Sequence, residues 1–567
     1  MNTKQRIVII GGVACGPKSA ARARRLDPDA EITIIEQGSV LSYAGCGMPY
    51  YIKGNIAEMH ELMSTPVGVP RNADFFRDVK GVNVYTSTEV VDVDHNKKIV
   101  RSVNLETGKH MEIFYDKLVL ATGSYSVKPK IHGIDMDYVF GLREPRHASA
   151  IRDAIKSGKV KRVVIVGGGL IGLEMSEALV AQGMEVYLVE KMPYILPNLL
   201  DKEMSALLTK HLVEKGVSVY TEEELVSIEG VLGEVKEVVT KSQKLQADMV
   251  LISLGVRPRV ELADQLGLKI GPHGGILVNE RMETSMPGIY AGGDCVENKH
   301  LITGDWAYVP LGSTANKHGR VIGTNLAGGN ETFPGILGTS IVKAFDYNVG
   351  RTGLTEREAR ERGFNVVTTL APGPDRAHYY PGFAIIVIKL VVDATSRKVL
   401  GAQIVGPGDV SKRLDVAATA LRFGATVDEM ATLDLGYAPP YSEAMDNIMV
   451  AANIVRNKID GIAQALTPLE VKNKIEKGGD FILLDVRTQK EHDEICIDAT
   501  NVSLMPLGLL RKNLSDLPKD KEIVTFCKVS LRGYEAFCIL KSAGFDKASF
   551  MDGGVIAWPY ELKKESS

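Results

Sequence analysis

The 567 residues are 45% hydrophobic and 24% charged, with 67 basic against 70 acidic side chains and a net charge of −3. That balance argues against wholesale nucleic-acid binding, and the length suits about three to five domains of ~100–200 residues. The longest apolar runs, such as "RVVIVGGG" and "FAIIVIKLVV", are too short to span a bilayer, so no membrane partner is expected. The N-terminus "MNTKQRIVIIGG" enters a predicted strand at once and leaves no room for a signal peptide. Six cysteines in so long a chain do not form a disulfide framework, so a reducing cytoplasm is expected.

The first predicted unit is "RIVIIGGVACG", a β-branched strand, a glycine turn with Gly11, Gly12, Ala14 and Gly16, and a helix start. Free N–H groups and the helix dipole at such a turn favour a pyrophosphate. Val13 occupies the middle glycine position, which weakens the pattern. A second strand, "TIIEQG", ends in Glu36, whose carboxylate can accept both hydroxyls of a ribose. The motif recurs in full at "RVVIVGGGLIGLE", with Gly167, Gly169 and Gly172, and "EVYLVEK" places Glu190 beyond it. Two such units predict two dinucleotides. An acidic residue at Glu190 repels a 2′-phosphate and favours NADH, with NADPH as the alternative because Lys191 adjoins it.

Between and after these units stand "YDKLVLATGS" and "GIYAGGDC". With the doubled glycine motif they resemble the signatures of two-dinucleotide flavoprotein reductases. The resemblance implies FAD on the first motif and a nicotinamide on the second. It implies that Ala121, Thr122 and Gly123 close over the first nucleotide, and that Gly293 and Asp294 serve the ribityl chain of FAD.

The stretch "LSYAGCGMPYY" holds a single cysteine, Cys46, where a dithiol motif would have two. Gly45 and Gly47 would let the backbone approach a planar ring, and a helix beginning at "GMPYY" would favour a thiolate. "LSYAGCGMPYYIKG" and "DLGYAPPYSEAMDNIMVAANIVRN" resemble the coenzyme A-disulfide reductases, the single-cysteine branch of the pyridine-nucleotide disulfide reductases, from residue 1 to about 456. In that branch the lone thiolate pairs with an external thiol, so the substrate supplies the second sulfur. The resemblance carries over Ser42 and Cys46, and Tyr437 with Tyr379 or Tyr380 as hydroxyls reaching the partner subunit's site. It implies a homodimer, with coenzyme A as substrate or bound ligand. Lys18, Arg22 and Arg25 fall on one helix face, with Arg71 as a further cation for its phosphates; a solvated basic face would have the same pattern. The chain departs from the family at Gly45, usually asparagine, and at Cys15, usually glycine.

From about residue 467 the character changes. "FILLDVRTQKEH", "CKVSLRG" and "GGVIAW" follow in the order of a rhodanese domain, which the segment resembles over its full length. Strand "EIVTF" leads into a loop from Cys527 to Arg532. Successive N–H groups turned inward there, with the Arg532 guanidinium, would stabilise a thiolate or persulfide on Cys527. The loop is one residue shorter than in the related phosphatases, which suits sulfane sulfur over phosphate. Ser530 replaces the usual glycine, so a positive φ there would be strained. Cys496 and Cys538 read as packing cysteines.

The expected fold is therefore α/β, a two-dinucleotide-binding-domain flavoprotein with an α+β dimerisation domain and a C-terminal α/β rhodanese domain. Expected boundaries are 1–150 and 249–332 for the FAD-binding domain, 151–248 for the NAD-binding domain, 333–456 for dimerisation, 457–466 as a linker and 467–563 for the rhodanese domain. The expected activity is NADH-dependent reduction of persulfides or polysulfides, foremost coenzyme A persulfide, through Cys46, with small-molecule partners and no metal. Coenzyme A-disulfide reduction is one alternative. An NADH oxidase or peroxidase using a Cys46 sulfenic acid is another, and a sulfide- or redox-sensing flavoprotein a third.

Overall fold

The computed structural model describes residues 4–563. The chain falls into two units, Met1–Lys191 with Glu223–Ile336, and Met192–Glu222 with Leu337–Ser567. Among the described residues no helix is long and apolar enough to cross a membrane.

In the first unit, strand β1 (Arg6–Ile10) leads to helix α1 (Cys15–Leu26) and back to β2 (Glu31–Ile35). Helix α2 (Met48–Lys53), β3 (Asn83–Tyr85) and β4 (Lys117–Leu120) follow. Next come β5 (Val139–Gly141), β6 (Arg162–Val166), α3 (Leu170–Ala181) and β7 (Glu185–Glu190). Strands β8 (Met249–Ile252) and β9 (Ile289–Ala291) and helix α4 (Gly312–Leu326) complete the frame. Strands β9-β4-β1-β2-β3 form one parallel sheet, with Ile7 opposite Ile32 and Ile9 opposite Ile34. Strands β7-β6-β8-β5 lie side by side in a second parallel set. Runs such as "RVVIV", with four of five residues buried, suit strands covered on both faces. Glycines in α4 let α1 approach closely, since a Cβ at Gly319 would strike the Lys18 stem and one at Gly323 the Arg22 stem.

The second unit holds the antiparallel strands β10 (Ser340–Ala344), β11 (Tyr347–Gly353), β12 (Val366–Pro374), β13 (Ile385–Asp393) and β14 (Val399–Gly406). Their order is β10-β11-β14-β13-β12, which leaves β12 at an edge. The segment Met192–Glu222, expected within the NAD-binding domain, groups with this sheet. An ion cluster is among the contacts that join them. Lys389 on β13 is 1% exposed and lies 3.0 Å from Asp201 and 2.7 Å from Glu356, with Glu203 also bonded. A buried ammonium is tolerable only with such partners, and they hold its pKa up against desolvation.

Helix α5 (Asn447–Ile459) and strand β15 (Ala465–Leu466) take up the two ends of the expected linker. Then come α6 (Pro468–Glu476), β16 (Phe481–Asp485), α7 (Gln489–Glu494), β17 (Val502–Leu504), β18 (Glu522–Phe526), α8 (Leu531–Ser542) and β19 (Ala548–Met551). They make a parallel sheet in the order β15-β19-β18-β16-β17.

Candidate active site

Both glycine turns are built for close approach. A Cβ on Gly11 would collide with the Ala121 carbonyl, one on Gly16 with the Gly11 carbonyl, and one on Gly172 with the Gly167 carbonyl. Gly11 and Gly167 also sit at φ +113° and +111°. Gly169 is different. Its φ of −83° is ordinary, and no protein atom lies within 4 Å of where a Cβ would stand. Neither packing nor backbone demands glycine there, and the open space suits a ligand that comes close to the backbone.

The helix ends agree. Helices α1 and α3 start without a side-chain cap and without an acid in the first turn. By contrast α6, α7 and the helices Glu356–Glu361 and Val427–Ala431 all begin with a threonine cap and a reciprocal glutamate. The glycine-loop helices therefore keep their first N–H groups available to an anion. The residues present fit two dinucleotides.

Each loop is braced by its acid. Glu36 accepts the Gly12 N–H at 2.6 Å and the Gly38 N–H at 2.7 Å, and Glu190 accepts the Gly168 N–H at 2.8 Å. Desolvation raises the Glu36 pKa against those two N–H bonds. Lys191, the residue that weakened the NADH expectation, is drawn 2.7 Å to Glu224.

At the far side of the first loop, Ala121 donates its N–H to the Ile10 carbonyl and the Thr122 hydroxyl bonds the Arg259 carbonyl at 2.7 Å. Gly123 is left-handed at φ +71°. Asp294 accepts from the Ser124 hydroxyl at 3.2 Å, with Arg143 4.0 Å away. The Gly293 N–H donates 3.1 Å to Nδ1 of His318 on α4. Burial pushes the His318 pKa down to about 3, which keeps that nitrogen an acceptor. Sequence reasoning missed His318, for nothing in "NKHGR" marks a histidine as a brace.

Cys46 sits in a short turn, Gly45–Gly47, ahead of α2 and is exposed. Ser42, left-handed at φ 47°, donates its N–H to the Gly12 carbonyl at 2.8 Å and so ties this turn to the first glycine loop. The Ala44 N–H bonds the Leu62 carbonyl, and a Cβ on Gly47 would strike the Leu62 side chain. Gly47 is thus explained by Leu62, whereas a Cβ on Gly45 would meet only ordinary contacts at 3.8 and 3.9 Å. The Arg71 guanidinium reaches the same Leu62 carbonyl at 3.5 Å, with its Nε buried and unbonded.

The thiol is not pre-activated by the protein alone. Desolvation in the cleft, then the Glu174 and Asp294 carboxylates, push the Cys46 pKa up. Glu174, on α3, is raised to about 7 by burial and by Glu177. Glu177 holds Lys53 of α2 at 2.5 Å, and Gln182 bonds the Lys53 carbonyl at 2.7 Å, so α2 and α3 are laced together beside the thiol. Glu174 stands inside the second glycine motif, where attention to the glycines hid it.

Of the predicted cations, Lys18 and Arg25 are exposed on α1, and Arg22 bonds the Thr324 hydroxyl at 3.0 Å. In the second unit Tyr379 and Tyr437 stand near enough for Tyr437 to raise the Tyr379 pKa. The Ala377 N–H bonds the Pro439 carbonyl, and the His378 N–H bonds Glu443 at 3.1 Å. Tyr379, Tyr380 and Tyr437 remain 65%, 38% and 52% exposed, beside exposed Phe383, Tyr441 and Met445.

The C-terminal loop is as tight as its sequence implies. Cys527 is fully buried. The Cys527 and Lys528 carbonyls accept from the Val555 and Ile556 N–H groups at 2.9 and 3.1 Å. In trans peptides the N–H groups of Lys528 and Val529 then point the opposite way, as an anion nest requires. Ser530 does sit at φ 97°, the strained position. Its hydroxyl compensates by accepting the Gly553 N–H at 2.6 Å, a bond glycine could not make. Arg532 forks onto Glu491 at 2.6 and 2.8 Å, and its raised pKa follows first from Glu491 and to a lesser degree from Cys527. Arg532 first, then the Thr488 cap, holds Glu491 down at about 2. Arg532, expected to stabilise sulfur on Cys527, is thus also paired with the Glu491 carboxylate. The signal was there in "TQKE", a capping box whose acid also faces the loop.

Family comparison agrees with this geometry. Residues 5–319 match the pyridine nucleotide-disulphide oxidoreductases, residues 339–449 their dimerisation domain, and residues 467–560 the rhodanese-like domain. The chain belongs to the pyridine nucleotide-disulphide oxidoreductases. It is 39% identical to an NAD(P)H coenzyme A polysulfide/persulfide reductase of Pyrococcus horikoshii, over 80% of this chain and 99% of that one. It is 33% identical to a coenzyme A disulfide reductase of Staphylococcus haemolyticus, over 78% and 97%. A solved NAD-dependent persulfide reductase from A. fulgidus superposes with a TM-score of 0.94 at 42% identity, covering 98% of this chain and all of the other.

Proposed function

We propose that this oxidoreductase uses NADH and FAD to reduce persulfides and polysulfides, foremost coenzyme A persulfide, through Cys46. The observation that carries the reading is one exposed, lone thiol beside a doubled dinucleotide site, in a chain that also holds a Cys527 sulfur-transfer loop. Cys46 sulfur attacks the substrate S–S bond, a new S–S bond forms on Cys46, and the displaced thiol leaves. Flavin, when bound, would supply the two electrons, drawn from the nicotinamide, that reduce this S–S bond. Gly11, Gly12, Ala14, Gly16, Glu36, Ala121, Thr122, Gly123, Gly293 and Asp294 would hold FAD. Gly167, Gly169, Gly172 and Glu190 would hold the nicotinamide. With Lys191 occupied by Glu224, little positive charge remains for a 2′-phosphate.

Arg71 is the best-placed cation for coenzyme A, because it shares Leu62 with the Cys46 turn; Lys18, Arg22 and Arg25 would serve the phosphates farther out. Gly45 leaves side-chain room in that turn, which suits a less selective sulfur substrate. The exposed aromatic cluster around Tyr379, Tyr380 and Tyr437 suits a homodimer in which these hydroxyls serve the partner's site. Six free thiols suit a reducing cytoplasm.

The test is anaerobic NADH oxidation with coenzyme A persulfide, coenzyme A disulfide, polysulfide and peroxide, and separately with oxygen. Persulfide or polysulfide should give the highest kcat/KM. Faster turnover of peroxide or oxygen would replace the reading with sulfenic acid chemistry. NADH should exceed NADPH by more than about tenfold, or ~1.4 kcal/mol.

A further inference from the structure

Strand β12 is the open edge of the antiparallel sheet, and Leu370 and Thr368 sit on it two residues apart. Their outward backbone groups would be an unpaired edge. The Leu370 N–H donates instead to the Asp552 carboxylate at 2.8 Å, and the Thr368 carbonyl accepts from Lys458 Nζ at 2.8 Å. Lys458 and Asp552 then close on each other at 2.6 Å, with Asp552 1% exposed. Asp552 belongs to the rhodanese-like domain, at the end of β19, and Lys458 to the last turn of α5.

The residues just beyond Asp552 support the Cys527 loop itself. The Gly553 N–H bonds the hydroxyl of strained Ser530, and the Val555 and Ile556 N–H groups bond the Cys527 and Lys528 carbonyls. An unbroken path therefore runs from the edge of β12, through the Asp552–Lys458 pair, to the backbone that shapes the loop. The other end of β12 leads directly into the loop carrying Tyr379 and Tyr380.

The geometry points to Asp552 and Lys458 as positioning residues that set the shape of the sulfur-carrying loop by clamping it to the dimerisation sheet. Neither touches the reacting sulfur. The clamp couples domain docking to loop shape, so Cys527 is competent only when its domain is seated. This rests on the proposed role of Cys527 as sulfur carrier.

The test uses the full-length holoenzyme with Asp552→Asn, Lys458→Met and the conservative Lys458→Arg. Hydrogen exchange should rise at least about tenfold at amides 527–534 and 553–556 in the first two variants, with β16 and β18 unchanged. The Cys527-dependent rate with polysulfide should fall about tenfold at unchanged KM, the rate with preformed coenzyme A persulfide should hold, and Lys458→Arg should restore both readouts. Unchanged loop exchange, or equal loosening of β16 and β18, would overturn the clamp, as would a wild-type polysulfide rate in Asp552→Asn. Cys527→Ser is run beside them. If it leaves the polysulfide rate intact, the carrier reading fails, and loop exchange alone decides the clamp.

Discussion

Cys46 lies exposed in a short turn, its flanking Gly45 free of close contacts, and its thiol is held protonated by desolvation and nearby carboxylates. Cys527 is fully buried, and its loop is stitched to residues 553–556 by backbone bonds. The first arrangement lets an external sulfur compound reach the thiol but leaves its activation to what binds beside it. The second pre-forms the anion nest but admits little. A chain carrying both can separate collecting sulfur from reducing it.

The hardest break of that contrast is Cys46→Ser. It should lower reduction of every sulfur substrate by at least about a thousandfold, ~4 kcal/mol, while NADH still bleaches the flavin in anaerobic stopped flow. Surviving persulfide turnover would assign the reduction to another group. Cys527→Ser should act more narrowly. Polymeric donors should slow about tenfold or more, while coenzyme A persulfide is reduced as before, and steady-state rates on both donors in one preparation make the comparison. Equal rates on all donors would leave the buried thiol without a part in turnover.

The stitching itself can be sharpened at Ser530. Holding a non-glycine residue at φ 97° costs on the order of 1–3 kcal/mol, and the Gly553 bond returns about 1 kcal/mol. Ser530→Ala keeps the strain and loses the bond, so it should destabilise the domain by about 1–2 kcal/mol. Ser530→Gly loses both and should lie between the parent's stability and about 2 kcal/mol above it. Urea denaturation read by a probe in the C-terminal domain orders the three proteins. An alanine variant as stable as the glycine variant would show that the hydroxyl does not hold the loop.

The frame of both thiol sites was readable from sequence because it depends on local pattern. Glycine spacing after a β-branched run implies the nucleotide loops, and the interval from Cys527 to Arg532 implies the nest. What sequence could not show are partnerships across long separations. Glu491 meets Arg532 over 41 residues, Asp552 meets Lys458 over 94, and the Gly293 N–H meets His318 on α4. Asp552, Lys458 and His318 carry no local signature, since each reads as an ordinary polar side chain until the fold brings it to its partner, whereas Glu491 shows only its place in the Thr488 capping box. Long-range pairing also shapes residues 457–466, expected as a linker: they hold the end of α5 and strand β15, which pairs with β19.

The smallest expected effect concerns why Cys46 is not activated by the protein alone. Glu174 is raised to about 7 by burial and Glu177, and its negative form in turn raises the Cys46 thiol, after desolvation and alongside Asp294. For a carboxyl raised in the folded state, the folded form binds the extra proton. Its stabilising contribution is full below the ordinary carboxyl value and is lost as pH rises through about 7. Glu174→Gln should therefore leave stability at pH 5 nearly unchanged and improve it at pH 8, read by thermal melts at the two pH values. Removing the same charge should lower the pH midpoint of Cys46 alkylation by iodoacetamide, since one of several causes that raise it is lifted. A midpoint that stays put or rises would show that Glu174 does not act on the thiol. Desolvation with Asp294 would then account for the protonated Cys46 by itself.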